Sequence, residues 1–141
     1  MLTAKAIMNM HVITVPEGED IYEAIRIMVL NNITGLPVLR DDGTLAGIIS
    51  EKDVLRLLYN IEDQPGTVAK YMTTDVVCFD QEDSLNDIAQ SFVTNNFRRV
   101  PILSQGKLVG IISRKDIIHH LNTLKHEGQI PSRDGVCEIL Y

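Results

Sequence analysis

The stretch Gly47-Ile48-Ile49-Ser50-Glu51-Lys52-Asp53 returns 63 residues later as Gly110-Ile111-Ile112-Ser113-Arg114-Lys115-Asp116. In each copy an apolar run with strand character ends on a Ser, and an acid follows three residues on, the signature of a helix N-terminus. Working outward, Met8, Val12, Asn31-Asn32, Pro37 and Leu39 recur 64 residues on as Met72, Val76, Asn95-Asn96, Pro101 and Leu103. The chain is therefore a two-fold repeat with one residue dropped in a turn. A body built this way has pseudo-two-fold symmetry and clefts between its halves, where small ligands bind.

The 141 residues fit one domain. A unit of about 60 residues buries only about 60% of its unfolded surface, so the halves are expected to share a core. The expected division is repeat 1 over 1–61, a linker over 62–67 containing Pro65-Gly66, repeat 2 over 68–125 and a tail over 126–141. No apolar run reaches the roughly 20 residues of a membrane span. Met1–Asn9 lacks the layout of a signal peptide. A net charge of −6 argues against broad nucleic-acid binding. Cys78 and Cys137 fit no metal or redox spacing, and Cys78 is expected as a buried thiol. These features place the chain in the cytoplasm.

Each repeat reads alike. A short helical piece (Ala4–Met8; Val68–Met72) precedes a short strand (Val12–Val15; Val76–Phe79). A helix follows, with Ile21, Ala24, Ile25, Met28 and Val29 in one copy, and Leu85, Ile88, Ala89, Phe92 and Val93 in the other, at i, i+3, i+4, i+7, i+8. Two strands then flank a tight turn: Leu36–Leu39 and Leu45–Ile49 around Asp42-Gly43, Val100–Leu103 and Leu108–Ile112 around Gln105-Gly106. A last helix starts after Ser50 or Ser113. In the tail, Val136–Tyr141 has strand character.

Ser50-x-x-Asp53 and Ser113-x-x-Asp116 have two readings. One is capping, in which Ser and Asp satisfy the free N–H groups of the helix start. The other is an anion or ribose site at a helix N-terminus. The Arg98-Arg99 doublet suits phosphate oxygens, which Arg binds through two parallel hydrogen bonds. Its counterparts in the first repeat are Thr34 and Gly35. Lys52 and Lys115 precede each Asp and either add positive charge there or point outward. His119, His120 and His126 do not form a metal set, because adjacent helical residues point about 100° apart and a site needs convergent ligands. No phosphate loop, dinucleotide fingerprint or nucleophile elbow is present, so no enzyme and no catalytic residue is expected.

These motifs together resemble the CBS domain: Met8, Thr14-Val15, Leu36-Pro37-Val38 and Leu45-x-Gly47-Ile48-Ile49-Ser50-x-x-Asp53, repeated from Met72 to Asp116. The resemblance implies an α+β fold of α/β type, two β-α-β-β-α repeats packed pseudo-symmetrically through their sheets. It implies a homodimer in which two chains form a flat disc. It implies a regulatory ligand containing adenosine, either AMP, ADP, ATP or S-adenosylmethionine, with no required cofactor, and a regulated partner protein not identified by the sequence. By the same resemblance Asp53 and Asp116 hold ribose hydroxyls, Ser50 and Ser113 contact ribose or phosphate, and Arg98 and Arg99 reach phosphates with Lys115 and Thr34 nearby. Thr14, replaced by Cys78 in the second copy, makes a polar contact, and Val12, Ile33, Phe97 and Ile111 sandwich the adenine. The alternative is a dimerising scaffold whose pockets take no ligand.

Overall fold

In the computed structural model, residues 1–59 and 65–127 are described. The expectations for the linker core around 62–64, for Cys137 and for a strand over Val136–Tyr141 lie outside the described residues. A 3-10 turn at Ala4–Ala6 leads to β1 (Val15–Pro16), α1 (Ile21–Asn31), β2 (Gly35–Leu39), β3 (Leu45–Ser50) and α2 (Glu51–Leu55), which runs into a 3-10 turn at Arg56–Leu58. The second copy is α3 (Val68–Tyr71), β4 (Phe79–Asp80), α4 (Leu85–Thr94), β5 (Arg99–Ser104), β6 (Lys107–Ser113) and α5 (Arg114–His126). The chain thus has the α+β repeat that its sequence implies, as two three-stranded sheets ordered β1-β2-β3 and β4-β5-β6.

In each sheet the first pair is parallel and the second antiparallel. β1 and β4 are two residues long, shorter than the strands expected from Val12 and Val76. The reason lies in the middle strand. Pro37 pairs with Ile48 in β3, and the N–H and C=O of Ile48 both bond to Thr73, away from β2. Pro37 therefore turns its nitrogen toward the β1 side, where it has no hydrogen to donate. Pro101, opposite Ile111, repeats the arrangement. The chain before β1 peels away from the sheet, so Val12 and Ile13 are free to line a gap beside Pro37.

The two cores are exchanged at their edges. Val15, Ile21, Leu36, Val38 and Ile49 form the first with Val68 from the second repeat, while Ala4 from the first repeat is buried among Ile88, Val100, Ile102 and Ile112. Met8 lies on Gly110 and Met72 on Gly47, where a β-carbon would come within 2.6 Å of the Met8 sulfur or 2.5 Å of the Thr73 carbonyl oxygen. Paired backbone bonds join Asn9 to Ile111 and Thr73 to Ile48. Neither repeat completes its core alone, so the pair is one folding unit.

Three expectations are corrected. Val29 and Val93 close the apolar stripes but are 73% and 85% exposed and belong to neither core; the cores take Ile21, Ala24 and Met28 of α1 and Leu85, Ile88 and Phe92 of α4. Cys78 is exposed, since the segment before β4 is not zipped into the sheet. Its thiol is still pushed upward by partial desolvation.

Candidate functional site

A cleft of about 390 Å³ opens between the repeats, within the size range of ligand sites. Its floor and walls are apolar: Val12, Ile13, Ile33, Pro37 and Ile111. Its polar rim comprises Arg98, Arg99, Ser113, Lys115 and Asp116, with Asn9, His11 and Thr34. The 13-residue helix α5 begins at this rim, so its positive dipole end lies at the cleft.

Ser113 and Asp116 form a reciprocal cap. The Ser113 N–H donates to Asp116 Oδ2 at 2.8 Å, and the Asp116 N–H donates to Ser113 Oγ at 3.2 Å. This leaves Asp116 Oδ1 without a hydrogen bond from the described residues, at the edge of the cleft. The Asn9 side chain, which could have reached it, instead accepts from the His11 N–H at 2.9 Å. Capping and an available carboxylate oxygen coexist here.

Arg99 is half-buried and donates to Thr34 Oγ1. Desolvation, reinforced by neighbouring Arg98, lowers its pKa from the ordinary value. Gly35, the repeat counterpart of Arg99, accommodates it: a β-carbon there would stand 2.4 Å from Arg99 Nη1. Arg98 is more exposed and pairs with Glu51 at 3.1 Å, a surface contact worth little. Three cationic side chains thus face one carboxylate in a protein of net charge −6.

Of the expected site residues, Ile33, Thr34, Arg98, Arg99, Ser113, Lys115 and Asp116 come together here. Four do not line the cleft. Thr14 lies nearer the sheet, and Phe97 packs on Phe92 with ring centroids 5.7 Å apart. Ser50 and Asp53 sit at the other motif copy, where Asp53 is 3% exposed and accepts from the Ser50 N–H and Oγ at 2.8 and 2.9 Å and from Thr73 Oγ1 at 3.2 Å. Asn9 and His11 were not expected in the site. Their repeat counterparts are Thr73 and Asp75, in a segment, 8–12, where only Met8 and Val12 recur as Met72 and Val76. Among the described residues no group of three or more His, Cys, Asp or Glu side chains could hold a metal ion.

The CBS domain family model matches residues 4–60 and 68–123, and the chain belongs to that family. It is 39% identical over 119 residues, 84% of its length, to the uncharacterized protein MJ1225 of Methanocaldococcus jannaschii, and spans 42% of that relative's length. Among solved structures it is similar to CBSX2 in complex with AMP, at 26% identity and a TM-score of 0.82 over 89% of this chain and 99% of that one. It is similar also to the CBS domain pair of MJ0100 in complex with 5′-methylthioadenosine and S-adenosyl-L-methionine, at 26% identity and a TM-score of 0.76 over 87% and 98% of the two chains. Among the described residues no helix is long and apolar enough to cross a membrane.

Proposed function

We propose that this chain is a cytoplasmic regulatory module that binds an adenosine-containing nucleotide in the Asp116 cleft and signals its occupancy to a partner protein. The carrying observation is the open oxygen of Asp116 at the start of α5, facing Arg98, Arg99 and Lys115 across an apolar gap. A ribose diol suits the carboxylate, the adenine suits Val12, Ile33 and Ile111, and phosphate suits the arginines and the helix dipole. The AMP and S-adenosylmethionine complexes of similar folds support the same ligand class. The site has the groups for binding such a ligand, and the role read from them is sensing, of cellular energy where the ligand is AMP, ADP or ATP. Because the cleft joins two repeats, a ligand that prefers one relative orientation shifts the population toward it, and a partner reads the result.

The same reading includes a homodimer. Val29, Leu30, Leu55, Leu58, Tyr59, Val93 and Ile118 leave apolar surface exposed on the helices, and a second copy would cover it. Sedimentation of the purified chain tests this, with a monomer at micromolar concentration against it.

Calorimetric titration with AMP, ADP, ATP, S-adenosylmethionine and NAD tests the ligand. Saturable binding to one of them is expected, weakened about 10- to 150-fold by Asp116→Asn, the loss of about 1.5–3 kcal/mol of charged hydrogen bonding. Silence across the set, with a stable dimer, would replace the sensor with a scaffold.

A further inference from the structure

We infer that the two Ser-x-x-Asp motifs have separated in role: the chain takes one nucleotide, at Asp116, and Asp53 is a latch that ties the second repeat to the first. The one-site part rests on the ligand reading above; the latch stands on its own contacts.

Both acids receive the same bond from their own Ser N–H, at 2.8 Å. What lies beyond differs. In the first repeat the remaining oxygen of Asp53 is taken by Thr73 Oγ1, a residue of the second repeat, with Arg56 Nη1 3.8 Å away. Ser50 Oγ donates to the other oxygen. The carboxylate is 97% enclosed and fully engaged, so a ribose would have to displace a bond between the repeats to reach it. The helix behind it, α2, has five residues and offers little dipole. The helix behind Asp116 has 13.

Charge separates the copies in the same direction. His11 and Lys115 line the cleft at Asp116; their repeat counterparts are Asp75 and Lys52. The repeat position of the cleft's His11 is thus held by an acid, Asp75, and the charge beside Asp53 is Arg56 at 3.8 Å. Thr73 also holds Ile48 through two backbone bonds of 2.9 and 2.8 Å, so its hydroxyl is delivered to Asp53 from a fixed position. The bond therefore closes the motif and fastens α3 and its following segment to β3.

The experiment is a paired series on the full chain, Asp116→Asn, Asp53→Asn and Thr73→Val, with the titrations above and thermal melting. Valine keeps the shape and backbone bonds of Thr73 and removes the hydroxyl. Expected are one site per chain in the parent, an affinity loss of about tenfold or more for Asp116→Asn with melting little changed, and for Asp53→Asn and Thr73→Val a melting drop of about 3 °C or more with affinity within about twofold. The double variant Asp53→Asn/Thr73→Val is expected to lose less than the sum of the two single losses, since both change the same Asp53–Thr73 contact. Two sites per chain, or a binding event lost with Asp53→Asn, would overturn the one-site assignment. Unchanged melting in Thr73→Val, or additive losses in the double variant, would overturn the latch. If no ligand binds the parent, the nucleotide reading and the one-site part fall, while melting still decides the latch.

Discussion

Asp53 and Asp116 occupy the same place in the same motif, and the fold treats them oppositely. Each caps its helix through an identical bond from the preceding Ser. Asp53 is sealed by a threonine from the other repeat, whereas Asp116 faces a cleft because Asn9, at Thr73's repeat position, turns its side chain onto the His11 N–H. The motif fixes the cap. The residue arriving from the other repeat fixes whether the carboxylate remains available. In a duplicated fold, whether a motif's carboxylate stays available can thus be set by a residue outside the motif.

The largest effect that tests this inequality is at the paired glycines. Gly47 and Gly110 pack beneath Met72 and Met8, but a β-carbon at Gly47 also stands 2.5 Å from the Thr73 carbonyl oxygen. That carbonyl accepts from the Ile48 N–H at 2.9 Å and cannot withdraw without breaking the bridge between repeats. At Gly110 the nearest atoms belong to the Met8 side chain, which can rotate about several bonds. Gly47→Ala is expected to cost about 3 kcal/mol and Gly110→Ala about 1 kcal/mol, spanning the usual cost of overpacking. Urea unfolding with an unchanged m-value measures both. Equal losses would mean that the two inter-repeat contacts are equally rigid, and the contrast drawn from Thr73 would weaken.

The difference between local and tertiary information explains what could be read from the sequence. The helices α1 and α4 follow from apolar spacing, and the hairpins from their turns: Gly43, Gln105 and Gly106 all take positive φ, at 84°, 52° and 78°. Ser113, Asp116 and the Arg98-Arg99 doublet are legible because each is a short pattern at an element boundary. Asn9 and His11 are not, because they reach the cleft only after the first residues of one repeat dock on the sheet of the other. The burial of Asp53 and the inward turn of Phe97 depend on that same exchange. The shortness of β1 and β4 was within reach, since Pro37 and Pro101 stand in the middle strands, but it required the register to show which way their nitrogens face.

A second contrast lies where α1 and α4 end. α1 stops on Asn32, in the left-handed region at φ 51° and ψ 47°, whose N–H donates back to the Met28 and Val29 carbonyls. α4 ends on an extended Asn95, and there Arg114 supplies the donors. Its Nη2 reaches the Phe92 and Asn95 carbonyls at 3.0 and 2.7 Å, its Nε the Phe97 carbonyl at 3.0 Å. Arg114→Ala is expected to cost about 2 kcal/mol, because three carbonyls lose a charged donor and some regain water. Its counterpart Glu51, exposed and paired with Arg98, should cost under about 1 kcal/mol when changed to Ala. Chemical denaturation of the two variants compares them; a Glu51→Ala loss matching that of Arg114→Ala would show that the surface pair carries more than its exposure suggests.

The smallest effect concerns Thr14 and its counterpart Cys78. Partial burial raises the Cys78 thiol above its ordinary range. The folded chain therefore keeps a proton that the unfolded chain releases, so this group leaves stability unchanged below about pH 8.5 and erodes it as pH climbs toward the folded-state value. The more direct reading is kinetic, since the thiolate is the nucleophile. In a Cys137→Ser background, which leaves one thiol, iodoacetamide should label the folded chain a few-fold more slowly than the urea-unfolded chain at pH 8, and the gap should narrow as pH rises. Exposure alone would give equal rates, because Cys78 is open to solvent by area. A gap that closes with pH assigns the protection to the ionisation of the sulfur, and one that persists assigns it to steric cover by the chain segment just before β4.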